Sequence, residues 1–112
     1  MKRLLFVGAI AILPALAQSG DAAKGKALFL RDGCYECHGY AGQGGSAGAR
    51  IAAIALPAPA MIRYVRAPSG QMPAYTEKVM SDQDLTDVWA YLQTLPKAKA
   101  AKDIPLLNDL KK

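Results

Sequence analysis

The chain carries the stretch Cys34-Tyr35-Glu36-Cys37-His38, which holds both of its cysteines and its only histidine. Two cysteines three positions apart can bond the two vinyl groups of a single porphyrin, and the next residue then places an imidazole beneath the iron. This C-x-x-C-H spacing is typical of covalent haem attachment. The sequence therefore predicts that Cys34 and Cys37 hold one haem and that His38 is an axial ligand of its iron.

Three other kinds of site use closely spaced cysteines. A thioredoxin-like C-x-x-C follows a strand at the start of a βαβ unit, whereas here a helical pattern precedes the motif. A structural zinc site needs four ligands, and the chain supplies only two cysteines and one histidine. A disulfide between Cys34 and Cys37 is compatible with an oxidising compartment, but it leaves His38 without a role.

Residues 1–17 have the features of a secretory signal. A basic pair at the start is followed by a nearly continuous apolar run, and Ala15-Leu16-Ala17 places small residues where signal peptidase recognises them. The alternative is an uncleaved anchor, although a membrane span needs about 20 apolar residues and this run is shorter. We expect cleavage before Gln18 and export to the periplasm, the side of the membrane on which bacteria attach haem covalently.

The rest of the chain divides into a domain, 18–96, and a lysine-rich tail, 97–112. Seven basic and seven acidic residues lie between Asp21 and Pro96, so the domain is neutral, whereas the tail has five lysines and two aspartates. No basic stripe with interleaved aromatics is present, so we expect no nucleic-acid partner. We expect a solvated tail whose leucines pack on the domain, with docking to an acidic partner as the alternative.

The apolar pattern predicts an all-α domain with loops between short helices. Asp21 is a suitable N-cap for a helix running to about Asp32, with one face formed by Ala23, Ala27 and Leu30. A second short helix is predicted at 61–67, and a third opens at Ser81, where Asp84 nearly completes a capping box, and ends at Leu95. Segments 39–48, with five glycines, and 69–76, with Gly70 and Pro73, are predicted to be loops.

The chain resembles the class I c-type cytochromes over about residues 20–96. Three blocks carry the resemblance: Gly25 to Phe29 with the C-x-x-C-H motif, Gly70-Gln71-Met72-Pro73-Ala74-Tyr75, and Leu85 to Leu92. The resemblance implies a cytochrome c fold of three to five short helices around one covalently attached haem c. It also implies that Gly25 and Phe29 cross Val88 and Tyr91 where the first and last helices of the domain meet.

The second axial ligand must come from residues other than histidine, because the chain has no second one. Met72 lies in a loop bounded by glycine and proline, where its side chain can be held over a flat group, and it matches the Met-Pro ligand loop of the family. Met61 and Met80 lie in or near helices, where methionine more often fills the core. Met72 is the predicted ligand, with Met61, Met80 or an open site as alternatives.

The resemblance also implies a partner for the His38 ring. In the family a proline carbonyl in a Gly-Pro stretch after the motif often accepts the second N–H of the histidine, and this orients the ring. The corresponding stretch here is Gly48-Ala49-Arg50-Ile51, with alanine in place of proline. The carbonyl is retained, so we expect Ala49 to serve.

Four further side chains lie near the predicted ligand loop. Tyr64 and Tyr75 flank it, and their hydroxyls reach either a haem propionate or the methionine sulfur, or are ordinary half-buried tyrosines. Arg63 and Arg66 lie one turn apart and either pair with propionates or are solvated. Trp89, at helical spacing among leucines, is predicted to serve packing rather than electron relay.

Together these features predict a periplasmic single-electron carrier that is not an enzyme. Its iron would cycle between Fe(III) and Fe(II), with a dehydrogenase as donor or an oxidase as acceptor, and no membrane span would remain after cleavage. Two alternatives stay open. In the first, the chain is a haem subunit of a periplasmic dehydrogenase or oxidase complex. In the second, it is a haem sensor or peroxidase-like protein with a labile Met72.

Overall fold

The computed structural model describes residues 19–110, so the predicted signal segment 1–17 lies outside the described residues. Within them the chain forms five α-helices and one 3₁₀ helix and contains no strand. These are α1 (Ala22–Arg31), α2 (Cys34–His38), α3 (Ala58–Arg66), α4 (Asp82–Thr94), the 3₁₀ helix (Ala101–Asp103) and α5 (Pro105–Asp109). The all-α prediction is confirmed. None of the helices within 19–110 has the length and hydrophobicity needed to span a bilayer.

Helix α1 leads directly into the cysteine motif. The Asp21 side chain accepts hydrogen bonds from the N–H groups of Ala23 at 2.9 Å and Lys24 at 3.0 Å, which confirms it as the N-cap. After α1 ends, Gly33 adopts a left-handed φ of 78°, a conformation that glycine adopts without steric cost. Helix α2 begins at the next residue, Cys34, so this turn fixes the motif at the end of α1.

Helices α1 and α4 cross with their backbones in contact at Gly25. A Cβ atom at this position would overlap the backbone carbonyl of Asp87, so only glycine fits. Phe29 and Tyr91 fill the crossing, with ring centroids 5.4 Å apart in an edge-on arrangement that aromatic rings prefer. Val88 is buried beside them, and the predicted crossing is confirmed.

The start of α4 is closed by a complete capping box. The Ser81 hydroxyl accepts from the Asp84 N–H at 3.1 Å, and the Asp84 carboxylate accepts from the Ser81 N–H at 3.0 Å. Two backbone donors at the helix end are thereby satisfied. The helix start predicted from Ser81 and Asp84 is confirmed.

A buried carboxylate fastens the beginning of α1 to α4. Asp87 is 2% exposed, and it accepts from the Asp21 N–H at 2.9 Å and the Gln83 side-chain amide at 2.8 Å. Lys24 Nζ lies 3.0 Å from its other oxygen. Burial alone would raise the pKa of Asp87, but these three donors outweigh it and lower that pKa. Asp87 therefore remains ionised and paired inside the fold.

Helix α1 turns the strip of Gly25 and Phe29 inward, and the face of Ala23, Ala27 and Leu30 outward. The residues of α1 that are buried are Gly25, Leu28 and Phe29, whereas the exposed ones include Ala23, Ala27 and Leu30. The close approach to α4 at Gly25 determines which face turns inward, and a count of apolar side chains gives glycine no weight.

Helix α3 begins earlier than predicted, at Ala58 rather than at Met61. Pro59 lies in its first turn, where a missing N–H costs nothing because that donor has no partner within the helix. Pro57 is the N-cap of the helix, whereas Pro59 belongs to the helix itself. The loops at 39–48 and 69–76 contain no helix, as predicted.

The leucines of the tail do not pack on the domain, so that prediction is wrong. Leu106 is 71% exposed and Leu110 is 75% exposed. The short helix α5 packs only against the 3₁₀ helix next to it, and Asn108 donates to the Lys102 carbonyl at 2.8 Å between the two. The tail therefore forms a small hydrogen-bonded unit of its own instead of extending the core.

Candidate haem site

A cavity of about 680 Å³ lies among helices α1 to α4 and the loops between them. This volume lies within the range of roughly 300–1,000 Å³ that is usual for cofactor sites. Much of the core faces it, because most of the buried apolar side chains of the domain line the cavity: Phe29, Met61, Val65, Met80, Leu85, Val88 and Leu92. A large apolar group bound in the cavity would therefore complete the core.

The four predicted site residues line this same cavity: Cys34, Cys37, His38 and Met72. The first three come from α2, whereas Met72 comes from the loop 69–76, called here the Met72 loop. Cys37 is exposed, and the other three side chains are partly buried. The structure thus brings together thiols, an imidazole and a thioether from two distant parts of the sequence.

The orientation of the His38 ring is fixed by a backbone carbonyl. His38 Nδ1 lies 2.7 Å from the Ala49 oxygen, which confirms the predicted contact although alanine replaces proline. Because a carbonyl oxygen only accepts, Nδ1 is the donor, which leaves Nε2 as the nitrogen available to a metal. A Cβ atom on Gly48 would lie 2.7 Å from the Cys37 oxygen and 3.1 Å from His38 Nδ1, so glycine is needed for this approach.

The thiol of Cys34 lies in an apolar part of the site. Burial, with a smaller contribution from the charge of Asp32, raises the pKa of this thiol to about 11. The unattached thiol is therefore neutral at the cavity wall.

Three features of the described residues distinguish among the possible cysteine sites. The thiols of Cys34 and Cys37 are not joined in a disulfide, and no strand precedes the motif within 19–110. The same residues contain no group of three or more histidine, cysteine, aspartate or glutamate side chains placed to hold a metal ion. The donor set is the one that covalent haem requires.

All three methionines of the described chain line the cavity, so cavity lining alone does not select the ligand. Met61 and Met80 are buried at 6% and 1% exposure and belong to the core cluster between helices. Met72 is partly buried and packs on the edge of that cluster from its loop. The loop position and the partial exposure distinguish Met72 from the two core methionines.

Sequence reasoning missed the segment 50–56, which supplies four lining residues, Arg50, Ile51, Ile54 and Leu56. Side chains of α4 hold this segment, because Trp89 Nε1 donates to the Leu56 carbonyl at 2.8 Å and Gln93 donates to the Ile54 carbonyl at 2.9 Å. Trp89 is therefore a structural residue, as predicted. The apolar run from Ile51 to Leu56 was the available signal.

The tyrosines that flank the Met72 loop bind protein groups. The Tyr64 hydroxyl lies 2.9 Å from Ser69 Oγ, and the Tyr75 hydroxyl donates to the Asp32 carbonyl at 2.8 Å. Burial is the main cause that raises the pKa of Tyr75, which keeps its hydroxyl protonated as a donor. Both hydroxyls thus anchor backbone or loop positions.

The cation nearest the cavity is not one of the predicted arginines. Arg66 binds the Tyr75 carbonyl and Asp82, and neither Arg63 nor Arg66 is among the lining residues. Among the described residues, Arg50 is the only arginine or lysine that lines the cavity, and it also donates to the Pro96 carbonyl. Arg50 is therefore the candidate to pair with the carboxylates of a haem.

An all-helical domain whose core faces one cavity, with a C-x-x-C-H motif on its wall, defines a c-type cytochrome. A family model described as cytochrome c oxidase, cbb3-type, subunit III matches residues 20–92, and the chain belongs to this family. Searches of curated proteins and of solved structures found no match. As a c-type cytochrome the chain carries covalently bound haem c with its iron and functions in electron transfer; domains of this class are usually carriers rather than enzymes.

Proposed function

We propose that the chain is an exported single-electron carrier of the periplasm, with one haem c held by Cys34 and Cys37 and its iron bound by His38 and Met72. The observation that carries this proposal is the convergence of these four side chains on one largely apolar cavity. When bound, the haem supplies a one-electron Fe(III)/Fe(II) couple. The residues of the chain attach it, orient its ligands and shield it from water.

The contribution of His38 follows from its hydrogen bond. The contact of Nδ1 with the Ala49 carbonyl orients the ring of a residue that lines the cavity and leaves Nε2 as the nitrogen available to iron. A hydrogen bond of this kind also raises the basicity of the ligating nitrogen. His38 therefore needs little reorganisation to bind iron.

Met72 would affect the reduction potential of the haem and the access of oxygen and peroxide to the iron. A thioether is a soft, neutral donor that favours Fe(II), so ligation by His38 and Met72 raises the reduction potential. The apolar lining acts in the same direction, because it disfavours the additional charge of Fe(III). If His38 and Met72 both bind the iron, they would leave no position open to oxygen or peroxide, which favours electron transfer over catalysis.

Export and partners follow from the sequence outside the site. The signal-like residues 1–17 support cleavage before Gln18 and a periplasmic location. The domain body is neutral, so strong electrostatic steering towards either sign of partner is not expected. We propose a periplasmic dehydrogenase as donor or an oxidase as acceptor.

The family description favours one second candidate, a haem subunit of an oxidase or dehydrogenase complex. A carrier makes small, transient contacts, typically burying less than about 1,200 Å², whereas a permanent subunit buries more. Native gel electrophoresis of a periplasmic extract and of gently solubilised membranes distinguishes the two. A haem-stained band at the mass of the free chain supports the carrier, and a band found only in a large complex supports the subunit.

Covalent attachment is tested on mature protein made in a strain with haem-attachment machinery. One haem should remain with the protein after acid-acetone extraction, and the mass should increase by that of one haem. Cys34→Ala should leave a single thioether and a less stable holoprotein, whereas His38→Ala should abolish normal ligation. Haem that extracts freely from the unaltered protein, or a mass showing only a Cys34–Cys37 disulfide, would refute the proposal.

A further inference from the structure

The Met72 loop is fastened to the helices at its ends and not in its middle. Residues 70 and 71 form a turn, but within the described chain residues 70–74 make no hydrogen bond to a helix. One end is tied by the contact of Tyr64 with Ser69, both of which are exposed. The position of Met72 therefore depends strongly on how the other end is fastened.

Four contacts converge at that other end, on Tyr75 and its partner Arg66. The Tyr75 N–H donates to the Val65 carbonyl at 3.1 Å, and its hydroxyl donates to the Asp32 carbonyl at 2.8 Å. Arg66 donates through one nitrogen to the Tyr75 carbonyl at 2.8 Å and through another to Asp82 at 2.6 Å. The end of the loop is thereby joined to α1, α3 and α4 at once.

The chemistry of this cluster suits a fixed anchor. Tyr75 is partly buried and its ring packs against the core cluster, so its hydroxyl bond is shielded from water. Asp32 caps α1 two residues before Cys34, so the same bond connects the Met72 loop to the cysteine motif. The planar guanidinium of Arg66 reaches a carbonyl and a carboxylate simultaneously, which a lysine ammonium on a flexible stem does less well.

We propose that Tyr75 and Arg66 are positioning residues that hold Met72 in the cavity and so set how often its sulfur leaves the iron. This inference rests on the proposed ligation by Met72. Each bond made only while the loop is closed favours the closed state, and its loss increases the open fraction. The pair thereby determines whether the sixth position stays shut, as a carrier requires, or opens to added ligands.

The test uses ferric holoprotein and imidazole as the competing ligand. Imidazole replaces the methionine on the iron, and the titration is monitored by the loss of the near-infrared sulfur-to-iron band. Tyr75→Phe keeps the ring and removes only the hydroxyl, so it should bind imidazole roughly two- to tenfold more tightly than wild type, as expected for one lost hydrogen bond. The matched control is Tyr40→Phe, the same chemical change on an exposed ring that does not line the cavity, and it should bind like wild type.

A second variant covers the case in which Tyr75→Phe yields no holoprotein. Arg66→Lys keeps the positive charge beside Asp82 but loses the fork that also reaches the Tyr75 carbonyl, and it should tighten imidazole binding in the same direction. Equal affinity in Tyr75→Phe and Tyr40→Phe, or in Arg66→Lys and Tyr40→Phe where only those two form, overturns the inference. A wild-type protein without the near-infrared band instead refutes ligation by Met72, so the two failures are distinguishable.

Discussion

Two parts of the cavity wall are built in different ways. The part from α1, α2 and α4, called here the helical wall, rests on backbone contact at Gly25 and on a buried network around Asp87. Within the described chain, residues 70–74 of the Met72 loop make no hydrogen bond to a helix, so the loop depends on its fastened ends. The comparison indicates that His38 belongs to the densely packed part of the wall, whereas the position of Met72 depends on contacts at the ends of its loop.

The largest effect is expected when the haem, which both parts of the wall would contact, is removed. Protein made without haem should be largely disordered, because about 95 residues whose core lines a cavity bury too little surface to offset chain entropy. Far-UV circular dichroism and urea titration should show little helix and no cooperative transition. A cooperatively folded apoprotein at room temperature would contradict this and would mean that the helical wall stands alone.

Gly25→Ala tests the helical wall directly and should have the next largest effect. The added methyl group overlaps the Asp87 carbonyl, which is backbone and cannot rotate away. We expect the free energy of unfolding of the holoprotein to fall by about 3 kcal/mol, measured by urea denaturation. Gly45→Ala is the matched control, since nothing lies within 4 Å of its added Cβ, and a loss as large as that of Gly25→Ala would argue against the crossing as its cause.

The features predicted correctly are those set by neighbouring residues or by a short motif. The caps at Asp21 and Ser81 are local contacts between a side chain and the backbone. The contact of His38 with Ala49 uses only a backbone carbonyl, so it does not depend on which side chain follows Gly48. The segment 50–56 was missed because side chains of α4 more than thirty residues away hold it in place. The apolar run from Ile51 to Leu56 indicates that the segment can be buried, but its place in the cavity wall is set by these tertiary contacts.

Packing was predicted correctly in α1 and incorrectly in the tail. In α1 the resemblance implied the crossing at Gly25, where the absence of a side chain controls the approach of α4. In the tail, Leu106 and Leu110 were expected to find the domain, but α5 packs only on its neighbour in sequence. Hydrophobicity indicates that a residue can be buried and does not say against what.

Met72→Ala tests the loop and should change stability less than Gly25→Ala while changing the spectrum completely. The ferric protein should lose its near-infrared band and its low-spin signature as water reaches the sixth position. The reduction potential should fall, because a ligand that stabilises Fe(II) is gone, and peroxidase activity should rise. Potentiometry and optical spectroscopy measure these changes.

The controls for Met72→Ala are the two core methionines. Met61→Leu and Met80→Leu are volume-conserving changes at buried positions, and both should keep the band. If Met72→Ala matches wild type in spectrum and potential, another residue binds the iron. If wild type already binds carbon monoxide or peroxide readily, the sixth position is open, and the sensor or peroxidase function replaces the carrier.

The smallest expected effect is a pH dependence of stability that arises from an ion pair between α1 and α4. Lys24 Nζ lies 2.9 Å from Asp84, and this lysine, together with the Ser81 contacts, lowers the pKa of Asp84 from 3.8 to about 2. A carboxyl with a lowered folded-state pKa stabilises the fold fully above its unfolded value and loses that contribution as the pH falls through the folded value. The contribution should therefore be present above about pH 4 and vanish as the pH approaches 2.

Lys24→Met removes the largest cause of this lowered pKa, so it should reduce the dependence of the urea midpoint on pH between about 4 and 2. The control is Lys26→Met, on the same helix and exposed, because Lys26 takes part in no salt bridge within residues 19–110. Above pH 5 both variants should keep the near-infrared band, since Lys24 pairs with α4 and lines no part of the cavity. Loss of that band in Lys24→Met alone would mean that the helical wall transmits strain to Met72, and the two parts of the wall would no longer be independent.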